Sequence, residues 1–192
     1  MDGLRSFLSY SNIMSELGDA GIGLPRDVVQ LRMHNPLWGD QYEEERNQLQ
    51  SLLASLRVRF EHVGSTAVPG LDAKPIIDID VALDSFDHFA EVYDLLIQAG
   101  YEYRDDASNK ERKLFVKGPP SNRTHHIHVV EVSGACFDRD LFFRDTLRVN
   151  KKFRNEYQDH KRELAQVFPN DRKSYTEGKA NVIQRILDMA HK

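Results

Sequence analysis

Apolar spacing divides the chain into segments of helical and of alternating pattern. Leu49, Leu52, Leu53 and Leu56 recur at i, i+3, i+4 and i+7 and predict a helix over 38–56. Alternation takes over at 57–63, where Val58, Phe60 and His62 share one face of a strand. It is strictest over 76–83: Ile77, Ile79 and Val81 face one way, Asp78 and Asp80 the other. Asp84-Ser85 then supplies a helix cap. The next apolar stripe is Phe86, Phe89, Ala90, Tyr93, Leu96 and Ile97, ending at Gly100.

Strands are predicted at 101–104, 113–117 and 125–132, the last two joined by the turn-rich stretch 118–122. A further short strand is expected at 28–31, before a turn at Asn35-Pro36. After Gly134 the pattern is helical, with helices at 138–149, 152–167 and 172–190. The fold class is therefore α+β: a mixed, mostly antiparallel sheet with packed helices and a helical C-terminal third. Residues 1–27 read as an N-terminal extension, in which Leu4, Phe7, Leu8 and Leu17 line a helix and Gly18, Gly21, Gly23 and Pro25 form a flexible joint. Packing on the domain at 28–192 and homodimerisation are both open roles for it.

Composition narrows the setting. A chain of 192 residues, 40% hydrophobic, can bury one core without covalent staples. Its single cysteine, Cys136, excludes an internal disulfide and fits a small buried residue in a reducing compartment. No apolar run approaches the roughly 18 residues of a membrane span. Asp2, Glu16 and Asp19 interrupt any leader, so a cytoplasmic location without membrane contact is expected. The net charge of -4 argues against a general nucleic-acid binder. Yet Arg139, Arg144, Arg148, Lys151, Lys152, Arg154, Lys161 and Arg162 crowd one segment, as a solvated helix face or a cleft for a polyanionic small molecule.

The chemistry concentrates between His62 and Val81. Gly64-Ser65, leaving an apolar strand, can present backbone N–H groups and a hydroxyl to a phosphate, and Thr66 can add a second hydroxyl or cap a short helix. The chain can return through Lys74-Pro75, laying the next strand beside the first and bringing Lys74 to the same phosphate. Aspartate is disfavoured in strands, so Asp78 and Asp80 on one face point to a divalent-metal site, or to a solvent-exposed strand end. Arg144 and Arg148, one turn apart, can reach a triphosphate or pair with nearby carboxylates, and Lys179 is a similar candidate. His62, Trp38, Tyr42 and the Phe142-Phe143 pair read as packing residues. No G-x-x-x-x-G-K-[ST], G-x-S-x-G or dinucleotide-binding glycine motif is present.

Gly-Ser followed by Asp-x-Asp on the next strand resembles the nucleotidyltransferase superfamily, which includes DNA polymerase beta and the CCA-adding enzymes. The longer string HVGSTAVPGLDAKPIIDIDV is similar, more specifically, to the GrpB family. The stretches 126–130, 142–148, 157–164 and 175–180 resemble that family's later blocks, so the likeness covers about 28–190.

The resemblance implies a metal-dependent nucleotidyltransferase acting on a nucleotide or other phosphorylated small molecule. Asp78 and Asp80 would be catalytic and would hold Mg²⁺ or Mn²⁺. Gly64, Ser65, Thr66, Lys74, His126, Arg144 and Lys179 would contact substrate. The superfamily completes its metal site with a third carboxylate, whereas here the matching strand offers His126 and His128 on one face; either can stand in the third position. Two aspartates and an imidazole suit Mn²⁺, Fe²⁺ or Zn²⁺ better than Mg²⁺. The alternative is a non-catalytic module that binds a nucleotide or CoA-type ligand, since a similar domain occurs fused to dephospho-CoA kinase.

Overall fold

The computed structural model describes residues 21–190. Helix α1 (Leu37–Leu52) leads into β1 (Val58–Val63), a 3-10 turn (Ser65–Ala67) and β2 (Ile77–Leu83). Helix α2 (Phe89–Gln98), β3 (Glu102–Tyr103), β4 (Lys113–Lys117) and β5 (His125–Glu131) follow. Helices α3 (Ala135–Val149), α4 (Lys151–Val167), α5 (Arg172–Gly178) and α6 (Ala180–Ala190) complete the described chain. The strands form one sheet in the order β1-β2-β5-β4-β3. β2 and β5 run parallel and the other neighbours antiparallel, so the sheet is mixed and mostly antiparallel, as predicted.

Each sheet face has its own cover. Ile77, Ile79, Val81, Ile127, Val129 and Phe115 pack beneath α1 and α2 with Trp38, Leu49, Val92 and Leu96. Glu45 reaches from α1 to the Tyr101 hydroxyl and, at 2.5 Å, to Lys117 Nζ, which satisfies a buried carboxylate and fixes the helix over β4. The opposite face carries Asp78, Asp80, His126 and His128. At its far end Ala82 and Val130 pack against Cys136 and Phe137 of α3, where the cysteine is the small buried residue expected. A second apolar cluster, Val68, Leu71, Leu147, Phe153, Tyr157, Val182 and Ile186, binds the 3-10 turn to α3, α4 and α6. The aspartate face is therefore roofed, and Asp80 is 0% exposed. The reading of a solvent-exposed strand end is excluded for Asp80.

Three predicted elements differ in the structure. No strand forms at 28–31: Val29 is buried and its N–H donates to the Pro169 carbonyl, and only Arg32 makes a bridge, to Ala73. α1 stops at Leu52, and a turn closed by Leu56 N–H to the Leu53 carbonyl completes the expected stretch. The predicted helix 172–190 is two helices. The His160 ring hydrogen-bonds the Gly178 carbonyl at 3.0 Å, and a β-carbon on Gly178 would meet Leu164 at 2.6 Å. Ile97, placed on the apolar stripe of α2, is 40% exposed.

The predicted helix at the start of the chain lies outside the described residues. Of the joint, Gly23 N–H donates to the Pro75 carbonyl, and Leu24 exchanges both backbone hydrogen bonds with Arg123. Among the described residues no helix is long and apolar enough to cross a membrane.

Candidate functional site

The site grows from the β1–β2 hairpin. Val63 pairs with Asp78 and Glu61 with Asp80, so the chain turns at Gly64 directly beside the first aspartate. Gly64 has φ 70° and ψ −168°, and a β-carbon there would sit 2.5 Å from Asp78 Oδ2. Only glycine fits that backbone and that gap. On the other side of β2, parallel pairing sets His126 opposite Asp78 and His128 opposite Asp80. His126 Nδ1 lies 2.8 Å and His128 Nε2 3.4 Å from Asp78 Oδ1. The donor atoms of Asp78, His126 and His128 fall within 4.8 Å of one another, a set compact enough for one metal ion.

The two aspartates differ in state. Burial alone would raise the Asp78 carboxyl, but hydrogen bonds from His126 and His128 hold it well below the usual carboxylate range. Asp80 has no hydrogen-bond partner on either oxygen. Its burial, reinforced by Asp140 and opposed by Arg112, pushes its carboxyl up to about 8. His128 Nδ1 is likewise buried and without a partner. Orphaned carboxylate oxygens and an orphaned imidazole nitrogen at one end of the sheet fit a divalent cation, which would supply the contacts the protein lacks.

Cations gather around Asp78. Lys161 is 1% exposed and donates to Ser65 Oγ at 3.0 Å and to the Asp72 carbonyl. Lys74 Nζ stands 5.3 Å and Lys179 Nζ 4.9 Å from the centre of the Tyr175 ring. Burial lowers all three ammonium groups, and their neighbours add repulsion: Arg172 and Lys179 act on Lys74, Lys179 acts on Lys161, and Arg172 acts on Lys179. Arg172 donates from Nη2 to His126 Nε2 at 2.7 Å. A cluster of that charge beside a single ionised aspartate is suited to an anion.

The model of the GrpB protein family matches residues 28–189. The chain belongs to the GrpB family. A UPF0157 protein of Pseudomonas aeruginosa is 40% identical over 167 residues, 85% of this chain and 68% of that protein. The crystal structure of conserved protein GrpB from Enterococcus faecalis superposes with TM-score 0.74 at 31% identity, covering 85% of this chain and all of that one. The Cid1 poly(U) polymerase bound to MgATP superposes with TM-score 0.50 at 10% identity, over 71% of this chain and 46% of that one. That likeness identifies a nucleotidyltransferase-type fold.

Within this GrpB domain the sequence-predicted residues divide. Gly64, Ser65, Lys74, Asp78, Asp80, His126, His128 and Lys179 converge. Thr66 is buried with its hydroxyl 3.0 Å from His62 Nε2, and the His62 ring stacks on Tyr42 at 4.7 Å. It holds the 3-10 turn to the sheet. Arg144 is not brought to the cluster: it donates to Glu61, to the His62 carbonyl and to Asp145. Arg148 is held by the Ala67 carbonyl and Asp145.

Two residues at the site were not singled out from the sequence. Lys161 had a signal, since it follows Phe153 and Tyr157 at i+8 and i+4 on the buried stripe of α4. Arg172, the first residue of α5, had none.

Proposed function

We propose that the chain is a metal-dependent nucleotidyltransferase acting on a nucleotide or another polyphosphorylated small molecule. The observation that carries this reading is the placing of Asp78, His128 and the unpartnered Asp80 carboxyl beside the cations Lys74, Lys161 and Lys179 at the Gly64-Ser65 turn. A donor's phosphates would replace solvent around those ammonium groups and relieve their mutual repulsion. Asp78, Asp80 and His128 would hold a divalent ion, Mn²⁺ or Mg²⁺, which supplies charge stabilisation at the transferring phosphate.

The protein's own part is positioning. Gly64 lets the donor approach Asp78, Ser65 fixes Lys161, and Lys74 and Lys179 neutralise the phosphates. The acceptor oxygen forms a bond to the α-phosphorus while the bond to the departing pyrophosphate breaks. One of the two aspartates draws off the acceptor's proton. Arg144 and Thr66 support the turn from outside.

A thermal-shift panel of nucleotides with Mn²⁺ or Mg²⁺, followed by an assay for pyrophosphate release, tests the reading. Stabilisation by nucleotide plus metal, and turnover lost in Asp78→Asn, are expected. No shift with any nucleotide or metal would overturn it. A second reading, a nucleotide- or CoA-type ligand-binding module without turnover, draws on histidines standing where the superfamily's third carboxylate is expected. Stabilisation without pyrophosphate release would favour it.

A further inference from the structure

A guanidinium carries only hydrogen-bond donors. Arg172 Nη2 stands 2.7 Å from His126 Nε2, so Nε2 must offer its lone pair. The imidazole hydrogen then sits on Nδ1, 2.8 Å from Asp78 Oδ1. The three side chains form a directed chain, Arg172 to His126 to Asp78, whose two ends agree: the guanidinium can only donate and the ionised carboxylate can only accept. His126 is 6% exposed, so its ring lies largely out of solvent. The arginine is itself held at both arms, because its Nη1 donates to the Arg26 carbonyl at 3.2 Å.

We infer that Arg172 is a positioning residue: it covers the Nε2 lone pair of His126, whose Nδ1–H donates to Asp78, and thereby reserves the metal for His128. With both nitrogens committed, His126 has no lone pair left for a cation. His128 has one, on a buried Nδ1 that meets no partner. His126 instead aims Asp78, leaving Oδ2 against Gly64. A residue that orients a metal-binding carboxylate this way sets affinity without touching the ion. The part of this inference that concerns metal rests on the proposed function, while the tautomer does not.

Long-range ¹H–¹⁵N NMR of ¹⁵N-histidine-labelled full-length protein, metal-free at neutral pH, reads the tautomer, with His126→Asn to assign the signal. Nδ1–H is expected in the wild type, and in Arg172→Met the unprotonated Nε2 resonance should move as its hydrogen bond is lost. An Nε2–H wild type, or an Nε2 resonance indifferent to Arg172→Met, would overturn the inference. The wild-type tautomer is read without the Met variant, so a Met variant that fails to fold leaves the inference open to refutation.

Mn²⁺ titration followed by electron paramagnetic resonance supplies the second readout. Arg172→Met should weaken binding by about 10- to 100-fold, with substantial rescue in Arg172→Lys. Equal affinities would overturn it. A wild type that binds no Mn²⁺ would overturn the proposed function, and the tautomer alone would then decide this inference.

Discussion

Asp78 and Asp80 stand two residues apart on one strand, and the fold drives their carboxyls in opposite directions: Asp78 well down and Asp80 up to about 8. The difference lies in partners. Asp78 accepts from two histidines, while Asp80 accepts from nothing. Asp80 is the group that a bound cation would change most.

Metal-free protein should therefore gain stability from Asp80→Asn. The folded carboxyl titrates near 8 and the unfolded one near 3.9, so the native state holds an extra proton between those values. The stability this proton confers is fully present below pH ~3.9 and is lost as pH rises through about 8. The variant's advantage should be small at pH 5 and reach on the order of a few kcal/mol at pH 8, each kcal/mol moving Tm by roughly 2–4 °C. Calorimetry at the two pH values checks this. The same variant should lose the stabilisation that Mn²⁺ gives the wild type.

His62 predicts acid sensitivity of the opposite sign. Burial pushes its imidazole down to about 4, against about 6.5 in the unfolded chain. Its contribution is complete above pH ~6.5 and disappears as pH falls toward 4, for a total of about 3 kcal/mol. His62→Phe keeps the stack on Tyr42 and should flatten the stability profile between those values. An unflattened profile in urea melts would show that other groups carry the acid transition.

Gly64→Ala should damage the site more than the fold. Its φ and ψ belong to a region nearly confined to glycine, at a cost of about 1–3 kcal/mol for other residues. The new methyl must also displace the Asp78 carboxylate. A modest fall in Tm with loss of Mn²⁺ binding is expected; Mn²⁺ affinity equal to wild type would disprove the contact.

Lys179→Met separates binding from stability. Removing one cation from a self-repelling group should leave the ligand-free Tm unchanged or higher. Nucleotide affinity should fall about 10- to 100-fold, the worth of a charged hydrogen bond. Isothermal titration with a nucleoside triphosphate and Mn²⁺ measures the second effect. A Tm that falls while affinity holds would make the lysine structural.

The part of the site that is local in sequence was legible, and the part made by packing was not. The strict alternation at 76–83 placed the aspartates on one face, and Gly64-Ser65 marked the turn because a hairpin needs only short-range information. Parallel pairing then brought both histidines to Asp78 and neither to Asp80, a register that no local pattern encodes. Lys161 was visible only as one member of a basic run, yet it alone of that run reaches the Ser65 hydroxyl. Arg144 looked equivalent and is held by Glu61 instead. The break at Gly178 was hidden because it depends on His160 and Leu164, both on another helix.

The separation of the site's parts along the chain also fixes when the site can exist. Asp78 meets His126 across 48 residues of chain, and His126 meets Arg172 across another 46. Each of these closures spans a longer loop than the β1–β2 hairpin and so carries a larger closure entropy. A nascent or clipped chain ending before α5 would own both aspartates and the glycine turn but lack Arg172 and Lys179. Assembly of the cluster is thereby reserved for chains whose last helices have docked, so the pocket reports the completeness of the fold.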